Sequence, residues 1–370
     1  MNAVDLTRRI VRIDTINPHS PERPCADLLG KLLEDAGYAV RTHEFAPGRA
    51  SLVARREGSE KPLAFVGHLD TVPLGAAPWT RDPFAGETQD GRLYGRGSSD
   101  MKSGVAAMVA AALDLARTPL RKAGLTLVLV AGEETGCEGA AHLAGIPGAL
   151  GEASAMVVGE PTENRPVVGH KGALWLRVRF RGVTAHGSMP EKGKNAVYAA
   201  ARALLKLADL RFDVAPDPLL GSPTLNVGTF AGGMNVNSVP DEATFTIDLR
   251  TIPAQRHAQI RAQLQTLLGA DAEIVPLVDL EGIRTPDDDP FVHIALEAAR
   301  AATGEKLQPG AATYFTDASV LMPAYGGVPT VVLGPGEMAL CHQTDEYCLV
   351  SRVEAAVAAY TAIARRVCGA

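Results

Sequence analysis

Three short runs constrain this chain more than any other feature: "AFVGHLD" (residues 64–70), "LTLVLVAGEET" (125–135) and "AMVVGEPT" (155–162). Each opens on apolar residues and carries an acid or an imidazole toward its end. A strand with one wet face alternates. A short apolar run that does not alternate reads as a strand buried on both faces, the habit of parallel sheets covered by helices. The intervening sequence supplies those helices. "CADLLGKLLEDA" (25–36) spaces leucines along one helical face and stops at Gly37, a C-terminal cap. "SGVAAMVAAALDLAR" (103–117) has almost no polar face and must pack on a sheet. The pattern specifies an α/β fold, a mostly parallel sheet with helices on both faces. In such sheets the ligand crevice lies beyond the carboxyl ends of the strands. His68, Glu133, Glu134 and Glu160 all fall there.

The texture changes near residue 172. "ALWLRVRFRG" alternates apolar and charged residues, as a half-buried strand does. A helix ("NAVYAAARALLKLADL"), two further alternating strands ("TLNVGTF", "EATFTIDLRT"), a second helix ("RAQLQTLLG") and "EIVPLV" follow. This reads as a small α+β module, two helices on one face of an antiparallel sheet. After the polar "EGIRTPDDDP" the first texture returns, with "FVHIALEAARAA", "VPTVVLGPG" and a C-terminal helix from Ser351. The expected organisation is therefore a discontinuous domain, residues 1–171 and 285–370, interrupted by an inserted domain at 172–284.

Composition removes several function classes. A net charge of −6 over 370 residues, with no Lys/Arg cluster, argues against nucleic acid or anionic membrane as a partner. The longest apolar runs, such as "VAAMVAAAL" (105–113), fall far short of the roughly 20 residues a membrane span requires. "MNAVDLTRRIVRIDT" reads as an amphipathic helix rather than a signal peptide. The cysteines (Cys25, Cys137, Cys341, Cys348, Cys368) are odd in number and form no CxxC pair, which points to the cytoplasm rather than to a disulfide framework.

The residues that carry chemistry sit on separate loops: His68 in "GHLD", Asp100 in "GRGSSDMKSG", Glu133 and Glu134 in "AGEETG", Glu160 in "VGEPT" and His342 in "CHQTDEY". Carboxylates and imidazoles are the donors that Zn, Co or Mn accept, and a carboxylate can bridge two ions. Asp70 stands two residues from His68, where it can orient the imidazole. Taken singly each has an ordinary reading: a hydrogen-bonded histidine, a solvated acid pair, an N-cap before a helix. "GRGSSDMKSG" lacks the spacing of a phosphate loop, and no GxSxG elbow occurs. The joint placement at strand ends is what favours a metal site.

In chain order, "GHLDTVP", "GRGSSDMKSG", "AGEETG", "VGEPT", "TAHGSMPEKGKNA" and "CHQTDEY" match the pattern of the M20 metallopeptidases, and the chain resembles that family over essentially its whole length. The family includes acetylornithine deacetylases, succinyl-diaminopimelate desuccinylases and carboxypeptidase G2. The resemblance implies two divalent ions, Zn first and Co or Mn also admitted. His68, Asp100 and Glu160 would hold one, and Asp100, Glu134 and His342 the other. Glu133 would be the general base as hydroxide attacks an amide carbonyl, and the Asp100–Met101 peptide would be cis. The insert would be a dimerisation or lid domain, with His186 reaching the partner subunit's site in a homodimer. Asn237 and Arg250 would contact substrate, the arginine gripping a carboxylate. On residues alone, His186 is a loop histidine capping the next turn and Arg250 a strand-end salt bridge.

The expected activity is metal-dependent hydrolysis of the amide bond of an N-acyl amino acid, or a related small amide carrying a carboxylate. A dipeptidase, aminopeptidase or carboxypeptidase of the same superfamily is the alternative. Recognising a free amine would call for a further carboxylate, and the "DDD" at 287–289 reads as a solvated linker. A non-catalytic binding homologue is a third reading, and an intact Glu133 argues against it.

Overall fold

In the computed structural model, which describes residues 2–370, the apolar runs are the central strands of a mixed sheet. Glu60–His68 lies between Ala123–Val130 and Ala155–Val158 and pairs parallel with both, Val66 standing opposite Val128 on one side and Val158 on the other. Thr330–Val332 extends the parallel set beyond Ala155–Val158. Every residue of Ala123–Val130 is buried, as its lack of alternation requires. The antiparallel part is at the margin. Ala39–Ala46 and Arg49–Arg56 form a hairpin whose second strand pairs antiparallel with Ala123–Val130. Apolar runs do not reveal this hairpin, because its outer strand is charged and largely exposed.

The chain folds into two compact units. The first comprises residues 2–169, 284–311 and 316–370. Its core joins Leu29 and Leu33 of the helix Arg23–Asp35, Val105 and Val109 of Ser103–Leu115, Leu296 of Pro290–Thr303 and Tyr360 of Val350–Cys368 to Phe65, Leu127 and Val157 of the sheet. Burying each such side chain contributes roughly 1.5–3 kcal/mol relative to exposure.

The second unit comprises residues 170–283 and 312–315. Its four antiparallel strands run in the order Thr224–Gly232, Glu242–Thr251, Gly172–Arg181, Ala272–Leu280. Leu174, Leu176, Val178, Phe245, Ile247 and Leu249 pack against the helices Ala196–Ala208 and His257–Leu268. Strand periodicity turns the intervening residues, including Trp175, Asp248 and Arg250, to the opposite face. No helix among the described residues is long and apolar enough to cross a membrane.

One close approach ties the helix Ser103–Leu115 to the end of the Ala155–Val158 strand. A Cβ placed on Gly104 would stand 2.2 Å from the Gly159 carbonyl oxygen, so only glycine permits this spacing. Gly104→Ala is expected to destabilise the protein by about 1–3 kcal/mol through overpacking. A urea unfolding curve measures it; an unchanged midpoint would mean that the helix can withdraw at no cost.

Candidate metal centre

The site is built from strand ends. His68 is the last residue of Glu60–His68 and is 1% exposed. Its Nδ1 lies 3.0 Å from the Asp70 carbonyl oxygen, a partner that fixes a proton on Nδ1 and turns Nε2 toward the acids. Nε2 is 3.1 Å from Asp100 Oδ1 and 3.7 Å from Glu160 Oε1.

Asp70 holds His68 through its main-chain carbonyl, while its carboxylate is engaged elsewhere. Its Oδ1 is 3.6 Å from the imidazole and accepts instead from the Glu133 N–H at 3.1 Å, while Oδ2 accepts from the Glu134 N–H at 3.1 Å and from the Asn17 side chain. The reason is an accounting one. The chain turns sharply after Val130, and the buried N–H groups of that turn need an acceptor that the sheet no longer supplies. Asp70 provides it and thereby fixes the loop carrying both glutamates.

Asp100 occupies the middle of the cluster. Its peptide bond to Met101 is cis. Its Oδ2 is 3.4 Å from Nε2 of His342, which also lies 3.2 Å from Glu134 Oε1. His342 adopts a left-handed backbone conformation, φ 63°. Its side chain is 53% exposed whereas that of Glu160 is 5% exposed, so the cluster has an open end and a deep end. The neighbouring Cys341 donates from Sγ to the Glu337 carbonyl at 3.5 Å and is a packing residue.

Three sets of donor atoms lie mutually within 4.8 Å: His68 with Asp100 and Glu160, Asp100 with Glu134 and His342, and His68 with Glu133 and Glu134. The electrostatics follow from crowding acids in a buried space. Burial, then neighbouring carboxylates, raises Glu133; burial and Asp100 raise Glu134. Glu160 is pushed up to about 8, first by burial. Burial also acts on Asp100, but hydrogen bonds from His342 and His68 outweigh it and hold that carboxyl below the usual range. Hydrogen bonds to Asp100 and Glu134 raise His342 to about 10, and although burial lowers His68, Glu160 and Asp100 raise it overall. The imidazole protons thus supply the positive charge that the acids demand. Divalent cations would supply it with both imidazoles neutral and free to coordinate, and a set of carboxylates and imidazoles is chemistry that suits them.

The remaining candidates belong to the second unit. His186 is exposed, with Nδ1 2.7 Å from Ser188 Oγ and accepting from the Ser188 N–H at 3.2 Å, the local turn contact expected of a loop histidine. Asn237 is exposed, and its carbonyl accepts from the Gly187 N–H at 2.7 Å. Arg250 Nε pairs with Asp248 Oδ1 at 2.9 Å, and its guanidinium lies 5.6 Å from the Trp175 ring.

Two buried acids escape a reading of the sequence. Asp317 precedes the helix Ala318–Ala324 and its carboxyl is pushed up to about 7, chiefly by burial. Glu346, four residues after His342, is fully buried beneath the Asp100 loop. Glu346 lies within the motif "CHQTDEY", yet nothing in a single sequence separates a buried acid from a solvated one.

A model of the Peptidase family M20/M25/M40 matches residues 64–366. An acetylornithine deacetylase from Myxococcus xanthus is 33% identical over 91% of this chain and 90% of its own length. A succinyl-diaminopimelate desuccinylase from Cereibacter sphaeroides is also 33% identical, over 98% of both chains. Among solved structures, an M20 family metallo-carboxypeptidase from Sulfolobus solfataricus superimposes with a TM-score of 0.80 over 98% of both chains at 18% identity, a likeness of fold. With the family model covering most of its length and relatives a third identical end to end, the chain is a member of peptidase family M20/M25/M40, a family of amide-bond hydrolases.

Proposed function

We propose that this protein hydrolyses the amide bond of a small N-acyl amino acid, or a related amide carrying a carboxylate, at a centre of two divalent ions. The observation that carries the reading is Asp100, which offers one oxygen to the His68 side and the other to the His342 side. His68, Asp100 and Glu160 would hold one ion, and Asp100, Glu134 and His342 the other. When bound, such ions polarise an amide carbonyl and make water acidic enough to lose a proton near neutrality. Zinc is favoured for the mixed imidazole and carboxylate set, and cobalt or manganese would also fit.

Glu133 moves the proton. It is buried, and burial followed by the neighbouring Glu160 raises its carboxyl above the usual range, which strengthens it as a base. It takes that proton from the attacking water and delivers it to the leaving amine. Asp70 acts through it, since the Asp70 carboxylate holds the Glu133 main chain. Acetyl and succinyl amides are the favoured substrates because the deacetylase and desuccinylase relatives align over nearly the whole chain. Arg250, steadied by Asp248, presents a guanidinium suited to a substrate carboxylate.

The inserted module, residues 172–284, acts as the dimerisation and lid domain. Thr224–Gly232 leaves one edge of its sheet unpaired, and Tyr198 and Leu205 are exposed on the helix Ala196–Ala208. Both features suit a second copy of the chain. In that dimer His186 serves the partner's centre, and Asn237 contacts substrate. The five unpaired cysteines fit a reducing, cytoplasmic setting.

Replacing Glu133 with Gln keeps the shape and removes the base. Steady-state kinetics on N-acetyl, N-succinyl and N-formyl amino acids and on dipeptides should show kcat lower by about 10²–10⁴ with metal content retained. Hydrolysis of these substrates at the unmodified rate would exclude Glu133 as the base. Sedimentation velocity addresses the partner: a dimer is expected, and a fully active monomer would rule out His186 acting in trans.

A further inference from the structure

The loop carrying Asp100 has no ladder of its own, and yet its main chain is tightly held. Glu346 is fully buried and accepts four hydrogen bonds. Its Oε1 receives the N–H groups of Ser99 at 2.7 Å and Asp100 at 3.0 Å; its Oε2 receives Arg96 Nη1 at 2.7 Å and the Gly97 N–H at 3.0 Å. Gly97 makes the wrap possible. Its φ is +83°, and a Cβ there would lie 2.6 Å from Thr71 Cγ2. Successive N–H groups converging on one anion form a nest, and here the anion is part of the protein.

Arg96, 1% exposed, completes the arrangement. Its Nη1 also donates to the Gln343 carbonyl at 3.3 Å and its Nη2 to the Pro73 carbonyl at 3.1 Å, with the guanidinium 5.2 Å from the Trp79 ring. Ser99 Oγ donates to the Tyr347 carbonyl at 2.7 Å. The ion pair therefore joins three chain segments: the one following Asp70, the one ending in Asp100, and the one following His342. None of the hydrogen bonds to Glu346 uses the Asp100 carboxylate, so both of its oxygens remain turned to His68 and His342 while the main chain behind them is fixed.

We propose that Glu346, locked by Arg96, is a positioning residue that sets Asp100 and His342 at the spacing needed to hold two ions at once. This rests on the two-ion reading above. A bridging carboxylate must satisfy both ions in one orientation, so a small shift of its main chain weakens both. Outer groups that orient ligands in this way are worth about 10–100-fold in metal affinity.

The test is a chelator-competition titration of metal-free protein with Zn²⁺, run on the unmodified chain and on Glu346→Gln, with folding checked by circular dichroism. In the variant a carboxamide N–H₂ would face donors that now bond to an acceptor. The unmodified chain should take two equivalents. The variant should bind at least one of them about 10–100-fold more weakly, and its kcat should fall with KM little changed. Its Co²⁺-loaded form should also show a shifted visible spectrum, which a merely structural role would leave alone. Fewer than two equivalents on the unmodified chain would contradict the two-ion reading. Two equivalents there, with equal affinity and kcat in a folded Glu346→Gln, would overturn the positioning role. Should Glu346→Gln not fold, Arg96→Lys keeps the charge but loses the planar fork. It should lose Zn²⁺ affinity in the same direction, and unaltered binding would overturn the inference.

Discussion

The structure depends on one carboxylate placed between two imidazoles. Asp100 sits 3.1 Å from His68 and 3.4 Å from His342, residues separated by more than 270 positions in the chain and brought together only by the fold. Around it stand Glu133, Glu134 and Glu160, all raised by burial, and so many buried acids call for compensation by protons or cations. An uncompensated buried ion costs several kcal/mol even after relaxation. The cluster meets this demand with imidazole protons, and the same demand makes it a receptor for divalent cations. Stability and metal affinity are here two expressions of a single electrostatic requirement.

The sheet makes the arrangement possible. Three parallel strands, Ala123–Val130, Glu60–His68 and Ala155–Val158, end side by side, and the residues that follow them turn outward at the same edge. Their apolar bodies anchor the strands in the core, so that the first polar residues beyond are presented on a rigid base. Asp70 converts that base into a site. By accepting the N–H groups of Glu133 and Glu134 it aims the loop after Ala123–Val130 toward the histidine that ends Glu60–His68.

Much of this is legible in the sequence. The absence of alternation in "LTLVLV" dictates burial on both faces, and the strict alternation of "ALWLRVRFRG" dictates one wet face; each follows from strand geometry alone. The grouping of His68, Asp100, Glu134, Glu160 and His342 is legible because each follows a strand pattern or sits in a distinctive polar loop. Other features are not. The hairpin Ala39–Ala46 and Arg49–Arg56 is defined by pairing rather than by composition. The use of the Asp70 carbonyl for His68, and of its carboxylate for the next loop, depends on which buried N–H groups lack partners. Glu346 reads like any acid in a turn until the fold wraps four donors around it. Long-range satisfaction of buried polar groups leaves no local trace.

The central claim is that Asp100 is shared between two ions. An anomalous-difference map from crystals grown with Zn²⁺ tests it most directly. The account predicts two peaks about 3.5–4 Å apart, one beside His68 and Glu160 and one beside Glu134 and His342, each within coordination distance of an Asp100 oxygen. A single peak, or a second peak with no contact to Asp100, would contradict it.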